Sequence, residues 1–186
     1  LNAHRINKGQ LPELNRPPHG ELSDFYFIKQ EDPDKAAELI VELVRDHIPR
    51  RFGFDSLNDI QVLSPMHKGA AGAANLNMLL QAALNRETAY VQRGERRFLL
   101  GDKVMQTRNN YEKDVYNGDI GRICYLDTEE RELTVRYDDR NVLYAFDELD
   151  DILPAYAISV HKSQGSEYRA VVLPILTQHF MLLQRN

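Results

Sequence analysis

The hydrophobic period changes twice along this chain, and that change limits what it can fold into. Ala36, Ala37, Ile40, Leu43, Val44 and Ile48 recur at three- and four-residue steps, as on one face of a helix. Asp32 and Pro33 supply its start, as N-cap and first-turn proline. Leu76, Leu79, Leu80, Ala83 and Leu84 repeat the pattern in a second helix. Each helix follows an apolar run read as a buried strand, DFYFIK at 24–29 and IQVLSP at 60–65, and the Gly-containing turn MHKGAAG precedes the second helix. Strand, helix, strand, helix implies a parallel sheet.

From about Gln92 the period falls to two. FLLGDKVMQ, DIGRICYL, RELTVRY and NVLYAF read as short strands separated by turn-rich stretches, NNYEKDVYNGD, DTEE and DDRN. In ELTVRY, Leu133, Val135 and Tyr137 point one way and Thr134 and Arg136 the other, as a half-buried strand requires. After Pro154 the earlier style resumes: AYAISVHKSQ reads as a short helix stopped at Gly165, and AVVLPI as a buried strand. The expected fold is α/β, with a small barrel at 92–153 inserted in a domain made of 1–91 and 154–186.

The 42% hydrophobic content of 186 residues suffices for a packed core. Cys124 is the only cysteine, which excludes an internal disulfide and a cysteine-based metal site and points to a reducing, cytoplasmic setting. No apolar run approaches the roughly 20 residues of a membrane-spanning helix. The net charge of −5 hides a split: residues 93–122 carry seven Arg or Lys against five acids, and 123–153 carry ten acids against three Arg. The acidic half reads as solvated loops, facing away from nucleic acid or toward a partner. The chain lacks an initiator Met and ends within QHFMLLQRN, which reads as part of a helix; it is expected to be a piece of a longer protein.

The chemistry begins with absences: no phosphate loop, no dinucleotide fingerprint, no zinc spacing and no nucleophile elbow. HKSQGSEY, residues 161–168, crowds a His, a Lys, a Gln, a Ser and a Glu round one Gly. It fits a glycine-capped helix end as well as a ligand turn in which Ser166 and Glu167 meet hydroxyls or a phosphate. SPMHKGAAG places Lys68 and the amides around Gly69 at a strand-to-helix turn that favours an anion, though a plain loop with an exposed lysine reads equally well; His67 is given no acid–base role. Lys103, Arg108, Asn109, Asn110 and Tyr111 combine donors with an aromatic, with Arg93, Arg96 and Arg97 just upstream. This mixture suits a single strand, with Tyr111 either stacking on a base or packing in the barrel.

AYAISVHKSQGSEYRAVVLP resembles motif V of superfamily 1 helicases, in the RecD-like branch. VLSPMHKGAAGAANLNMLLQAALN resembles the same branch, GDKVMQTRNNYEKDVYNGDIGRI resembles the start of its SH3-like insertion, and LNAHRINKG resembles the segment after motif IV. The resemblance covers nearly the whole chain and implies the second RecA-like domain of a helicase that moves 5′ to 3′ on single-stranded DNA, with a small SH3-like β-barrel insertion. It implies that Ser159 and His161 touch the DNA backbone, that Lys68 and Gly69 meet a DNA phosphate, and that Gly165, Ser166 and Glu167 face the nucleotide, Glu167 on the ribose. Lys162 and Gln164 fit either side.

The family's phosphate-loop lysine, Mg²⁺-binding acids and motif IV and VI arginines have no counterpart here. ATP and Mg²⁺ are therefore expected cofactors of a longer protein. This chain is expected to hold no catalytic residue and no metal ligand, and to lack ATPase activity by itself. The implied partners are single-stranded DNA, a first RecA-like domain and other exodeoxyribonuclease V subunits. Two other readings share these features: a non-catalytic binding module built on the small barrel, and a Pif-like or relaxase-associated helicase.

Overall fold

The computed structural model describes residues 2–14 and 21–182. The chain forms two compact units, one ending at Glu31 and one beginning at Asp32.

In the first unit helix α1 (Asn2–Asn7) is tied to the following turn. The Asn2 side chain bonds the Glu13 backbone in both directions, at 2.7 and 3.3 Å, and Arg5 Nε donates to Leu11 O at 2.8 Å. The expected strand at 24–29 does not form: Tyr26, Phe27 and Ile28 are 39%, 48% and 46% exposed. Ser23 explains part of this, because its hydroxyl donates to Phe25 O and accepts from Phe25 N, local bonds that compete with a strand ladder.

The second unit opens with helix α2 (Pro33–Glu42), whose N-cap Asp32 accepts from the amides of Asp34 and Lys35 as its sequence requires. The helical run continues through a π-helical turn (Leu43–His47) into α3 (Ile48–Phe52). Ala37, Ile40 and Val44 bury the expected stripe against β1 (Ile60–Ser64) and against Leu76 and Leu80 of α4 (Ala73–Leu84).

The chain then passes through a hairpin, β2 (Tyr90–Arg93) with β3 (Arg96–Leu99), and into β4 (Lys103–Gln106), β5 (Ile120–Asp127), β6 (Glu132–Tyr137), β7 (Arg140–Ala145) and β8 (Ile152–Pro154). The last five form one antiparallel sheet in the order β7-β6-β5-β4-β8, around a core that includes Phe98, Val104, Ile123, Leu133, Val135, Tyr144 and Leu149. FLLGDKVMQ is therefore two strands. Asp102 N bonds Leu99 O at 3.1 Å in a turn between them. Alternation along β6 is as expected: Leu133, Val135 and Tyr137 are buried and Arg136 is exposed. At Gly121 a Cβ would stand 2.6 Å from Val135 Cγ1 and 2.7 Å from Arg136 O, so β5 and β6 close only over glycine.

β9 (Ala157–Ser159), β1 and β10 (Ala170–Val172) form a parallel sheet in the order β10-β1-β9. Two expectations fail here. AYAIS is not helical and its last three residues form β9: Ala155, Tyr156, Ala157 and Ile158 are all buried, and an apolar run covered on both faces is the pattern of a parallel strand. Only the following Val160–Ser163 turns, as a single 3₁₀ segment. Only Ala170–Val172 of AVVLPI is strand, at the sheet edge, with Ala170 and Val172 packed on the core and Val171 47% exposed; Leu173 and Ile175 lie beyond it, 43% and 59% exposed. The terminal helix appears as a 3₁₀ segment (Thr177–Leu182), and the rest of QHFMLLQRN lies outside the described residues. Among the described residues no helix is long and apolar enough to cross a membrane.

Candidate nucleotide and nucleic-acid interface

Ser64 and Ser159 are register partners at the C-terminal ends of β1 and β9. The loops that leave them, 65–72 and 160–169, therefore emerge side by side at one edge of the parallel sheet. That edge is where ligands lie in open α/β sheets. Several buried bonds set the position of β9. Asn77 Nδ2 donates to Ala157 O at 2.7 Å and its Oδ1 accepts from Ala157 N at 3.0 Å, while Gln61 Nε2 donates to Ala155 O and Tyr156 O.

The first loop is cinched by Ser64, whose buried hydroxyl lies 2.8 Å from Met66 O and from Ala71 O. A Cβ at Gly72 would collide with the Lys68 carbonyl, so the loop folds back only with glycine there. The first amides of α4 are already used, Ala73 N by Met66 O and Ala74 N by His67 O. An anion at this turn therefore meets exposed Lys68 and the loop amides rather than the open end of the helix. His67 is exposed.

In the second loop Ser159 caps the 3₁₀ turn, accepting from Lys162 N at 3.3 Å, and Ser163 Oγ donates to Val160 O at 2.7 Å. His161, Gly165, Ser166 and Glu167 are exposed, and Gly165 takes φ of 83°. Lys162 is exposed as a residue, yet desolvation holds its ammonium below the usual lysine range. Tyr168 packs on Met105, Ala155 and Ile158, and its buried hydroxyl has no hydrogen-bond partner among the described residues.

The sequence-predicted residues of the barrel fare differently. Lys103 is 6% exposed and its Nζ points at Ile60 O, 3.4 Å away, so it is removed from the DNA-contact set. Its side chain leaves the barrel on the face that packs against the parallel sheet, and burial lowers its pKa to about 8. Tyr111 is 77% exposed, which excludes the packed alternative, and it meets Tyr116 edge-on at 6.1 Å. Asn109 holds the loop by accepting from Asn117 N at 2.9 Å, and Asn110 Oδ1 accepts from the amides of Glu112 and Lys113. Arg108 pairs with Asp151 at 2.9 Å. No hydrogen bond, ion pair or ring contact among the described residues joins this 107–119 loop to residues 64–69 or 159–167. Among the described residues no group of three His, Cys, Asp or Glu is placed to hold a metal ion.

Sequence reasoning missed Asp102, which is fully buried at the junction of the barrel with the parallel sheet. It accepts from Leu99 N at 2.7 Å, Gln81 Nε2 at 2.6 Å, Asn85 Nδ2 at 2.7 Å and Tyr156 Oη at 2.8 Å. Burial raises its pKa against the opposing pull of these donors. The signal was the GDKV stretch, in which an acid stands between apolar strands.

Residues 76–137 match the family of the ATP-dependent RecD-like DNA helicase SH3 domain, and residues 154–186 match the UvrD-like helicase C-terminal domain. The ATP-dependent RecD2 DNA helicase of Deinococcus radiodurans is 34% identical over 155 residues, covering 83% of this chain and 20% of that protein. The RecBCD enzyme subunit RecD of Haemophilus influenzae is 30% identical over 129 residues, covering 69% and 19%. The chain thus spans about a fifth of the length of these curated relatives. Among solved structures, Pif1 helicase from Bacteroides, in complex with ADP-AlF3 and single-stranded DNA, aligns over 78% of this chain and 41% of its own, at 18% identity and a TM-score of 0.49. By its SH3 domain and its UvrD-like C-terminal region, the chain belongs to the RecD-like DNA helicases.

Proposed function

We propose that this chain is the second motor half of an ATP-dependent DNA helicase that moves 5′ to 3′ on single-stranded DNA. Its motor part is 1–91 with 154–186, and its inserted barrel is 92–153. The observation that carries the reading is the register of Ser64 with Ser159, which brings the two family-like loops to one edge of a parallel sheet.

On this reading Lys68, the Gly69 amide, Ser159 and His161 grip backbone phosphates, while Gly165, Ser166 and Glu167 face the nucleotide. Exposure of all seven but the half-buried Ser159 suits a ligand that arrives from outside the chain. The carboxylate of Glu167 suits sugar hydroxyls, and the open backbone at Gly165 lets a ligand come close. Arg108, Asn109, Asn110 and Tyr111 offer a separate contact to the strand on the barrel. ATP, when bound with Mg²⁺ in the longer protein, supplies the phosphoryl transfer. One loop, 160–169, carries the residues for both ligands, so a shift of its Glu167 end is passed along the same short segment to the 3₁₀ turn that Ser159 caps. A first RecA-like domain, and in some settings other exodeoxyribonuclease V subunits, are the protein partners, in the cytoplasm.

The test is ATP hydrolysis by the full-length protein, stimulated by single-stranded DNA. Glu167→Ala is expected to weaken nucleotide use, and His161→Ala to weaken stimulation by DNA. If neither change alters turnover or DNA binding, the assignment of this loop is wrong. The 186-residue chain alone is expected to show no ATPase activity.

A further inference from the structure

One transverse row of the barrel sheet carries three cations. Lys103 on β4 is the register partner of Arg122 on β5, Arg122 of Arg136 on β6, and Arg136 of Asn141 on β7. Lys103 is buried against the parallel sheet, while Arg122, Arg136 and Asn141 are exposed. Like charges directly opposite on neighbouring strands destabilise a sheet, so the row runs against the stability of the fold. Arg93, Arg96, Arg108, Arg140 and Lys113 of the same barrel all meet carboxylates. Among the described residues Arg97 and Arg131 have no carboxylate but lie over the rings of Tyr90 and Phe146, and Arg122 and Arg136 have neither kind of partner. Arg122 donates only to Gly101 O, at 3.3 and 3.4 Å, and Arg136 only through Nε to Asn141 Oδ1, at 3.2 Å. The Nη groups of Arg136 are left for a ligand.

We infer that Arg122 and Arg136, with Asn141 beyond them, form a second phosphate-binding row for single-stranded nucleic acid. This rests on the helicase reading above. Arginines opposite one another on adjacent strands, whose backbones lie about 4.8 Å apart, present a line of bidentate donors, and a nucleic-acid backbone presents a line of closely spaced charges. A folded acidic protein surface presents isolated carboxylates instead. Lys103 reaches Ile60, the first residue of β1, so the row begins near the opposite end of the parallel sheet from Ser64 and Ser159. It is a separate contact from the one proposed at Lys68 and His161.

The experiment is fluorescence anisotropy of a labelled oligo-dT with the 186-residue chain over a salt series, for wild type, Lys68→Ala and the double variant Arg122→Gln/Arg136→Gln. Each single-strand phosphate contact contributes about 0.7 to the slope of log affinity against log salt, so the double variant should flatten that slope by about 1.4. Its thermal midpoint should be no lower than wild type, because a repulsive pair has been removed. An unchanged slope in the double variant with a loss at Lys68→Ala overturns the row and keeps the helicase reading. No binding by wild type, or no change in either variant, overturns both. A lower thermal midpoint marks the arginines as structural and overturns the row. So does competition by polyglutamate that equals competition by oligo-dT and vanishes in the double variant, since that assigns the row to an acidic protein.

Discussion

The hydroxyl of Tyr156, just before β9, donates to the buried carboxylate of Asp102, just before β4, at 2.8 Å. The bond joins the inserted barrel to the strand that ends at Ser159, and Gln81 of α4 and the C-cap Asn85 complete the same knot. In Asp102→Asn an amide group faces donors that need an acceptor, and a buried polar group left unpaired costs roughly 1–3 kcal/mol. Tyr156→Phe removes one donor of four and should cost about 1 kcal/mol. Chemical denaturation of the two variants checks the order; an Asp102→Asn protein as stable as wild type would contradict it.

Lys103 gives a pH dependence with a definite sign. Burial lowers its pKa from 10.5 to about 8, so below pH 8 the folded chain carries the full cost of a buried ammonium. Between pH 8 and 10.5 the unfolded chain binds more protons than the folded one, and stability attributable to this group rises with pH. The gap corresponds to roughly 3 kcal/mol. Lys103→Met should therefore stabilise the chain at pH 7, by up to about 3 kcal/mol. Its advantage over wild type should shrink as pH rises from 8 to 10.5, as read from paired denaturation curves.

Gly121→Ala tests the close approach of β5 and β6. The added methyl would meet Val135 Cγ1 at 2.6 Å and the Arg136 carbonyl at 2.7 Å, and the backbone oxygen cannot move without breaking the β5–β6 ladder. Overpacking of this kind costs about 1–3 kcal/mol. Thermal unfolding should show the loss, and a variant that melts with wild type would mean that the strands separate more easily than their register suggests.

These particular residues show why some of the molecule was legible in the sequence and some was not. The stripe through Ala37, Ile40 and Val44, and the alternation through Leu133, Val135 and Tyr137, are periodic, and periodicity survives in a linear string. AYAIS was misread because a run buried on both faces has no period to distinguish strand from helix. Lys103 reads as a surface cation because nothing local reveals that the outer face of β4 packs on a second sheet. Arg122 and Arg136 lie far apart in sequence and meet only through strand register, with a bulge between Ile123 and Tyr125 in the path. Lys68 and His161, by contrast, lie within family-like stretches, and the fold brings their loops to one edge.

On the proposed function, single-stranded DNA lies across that edge. Photocrosslinking of a 4-thiothymidine oligonucleotide to the chain, with the attachment sites mapped by mass spectrometry, tests it most directly. Adducts are expected on the peptides that hold residues 65–72 and 159–167, lost as salt rises. Adducts confined to other surfaces, or adducts at the edge that persist unchanged in high salt, would contradict it.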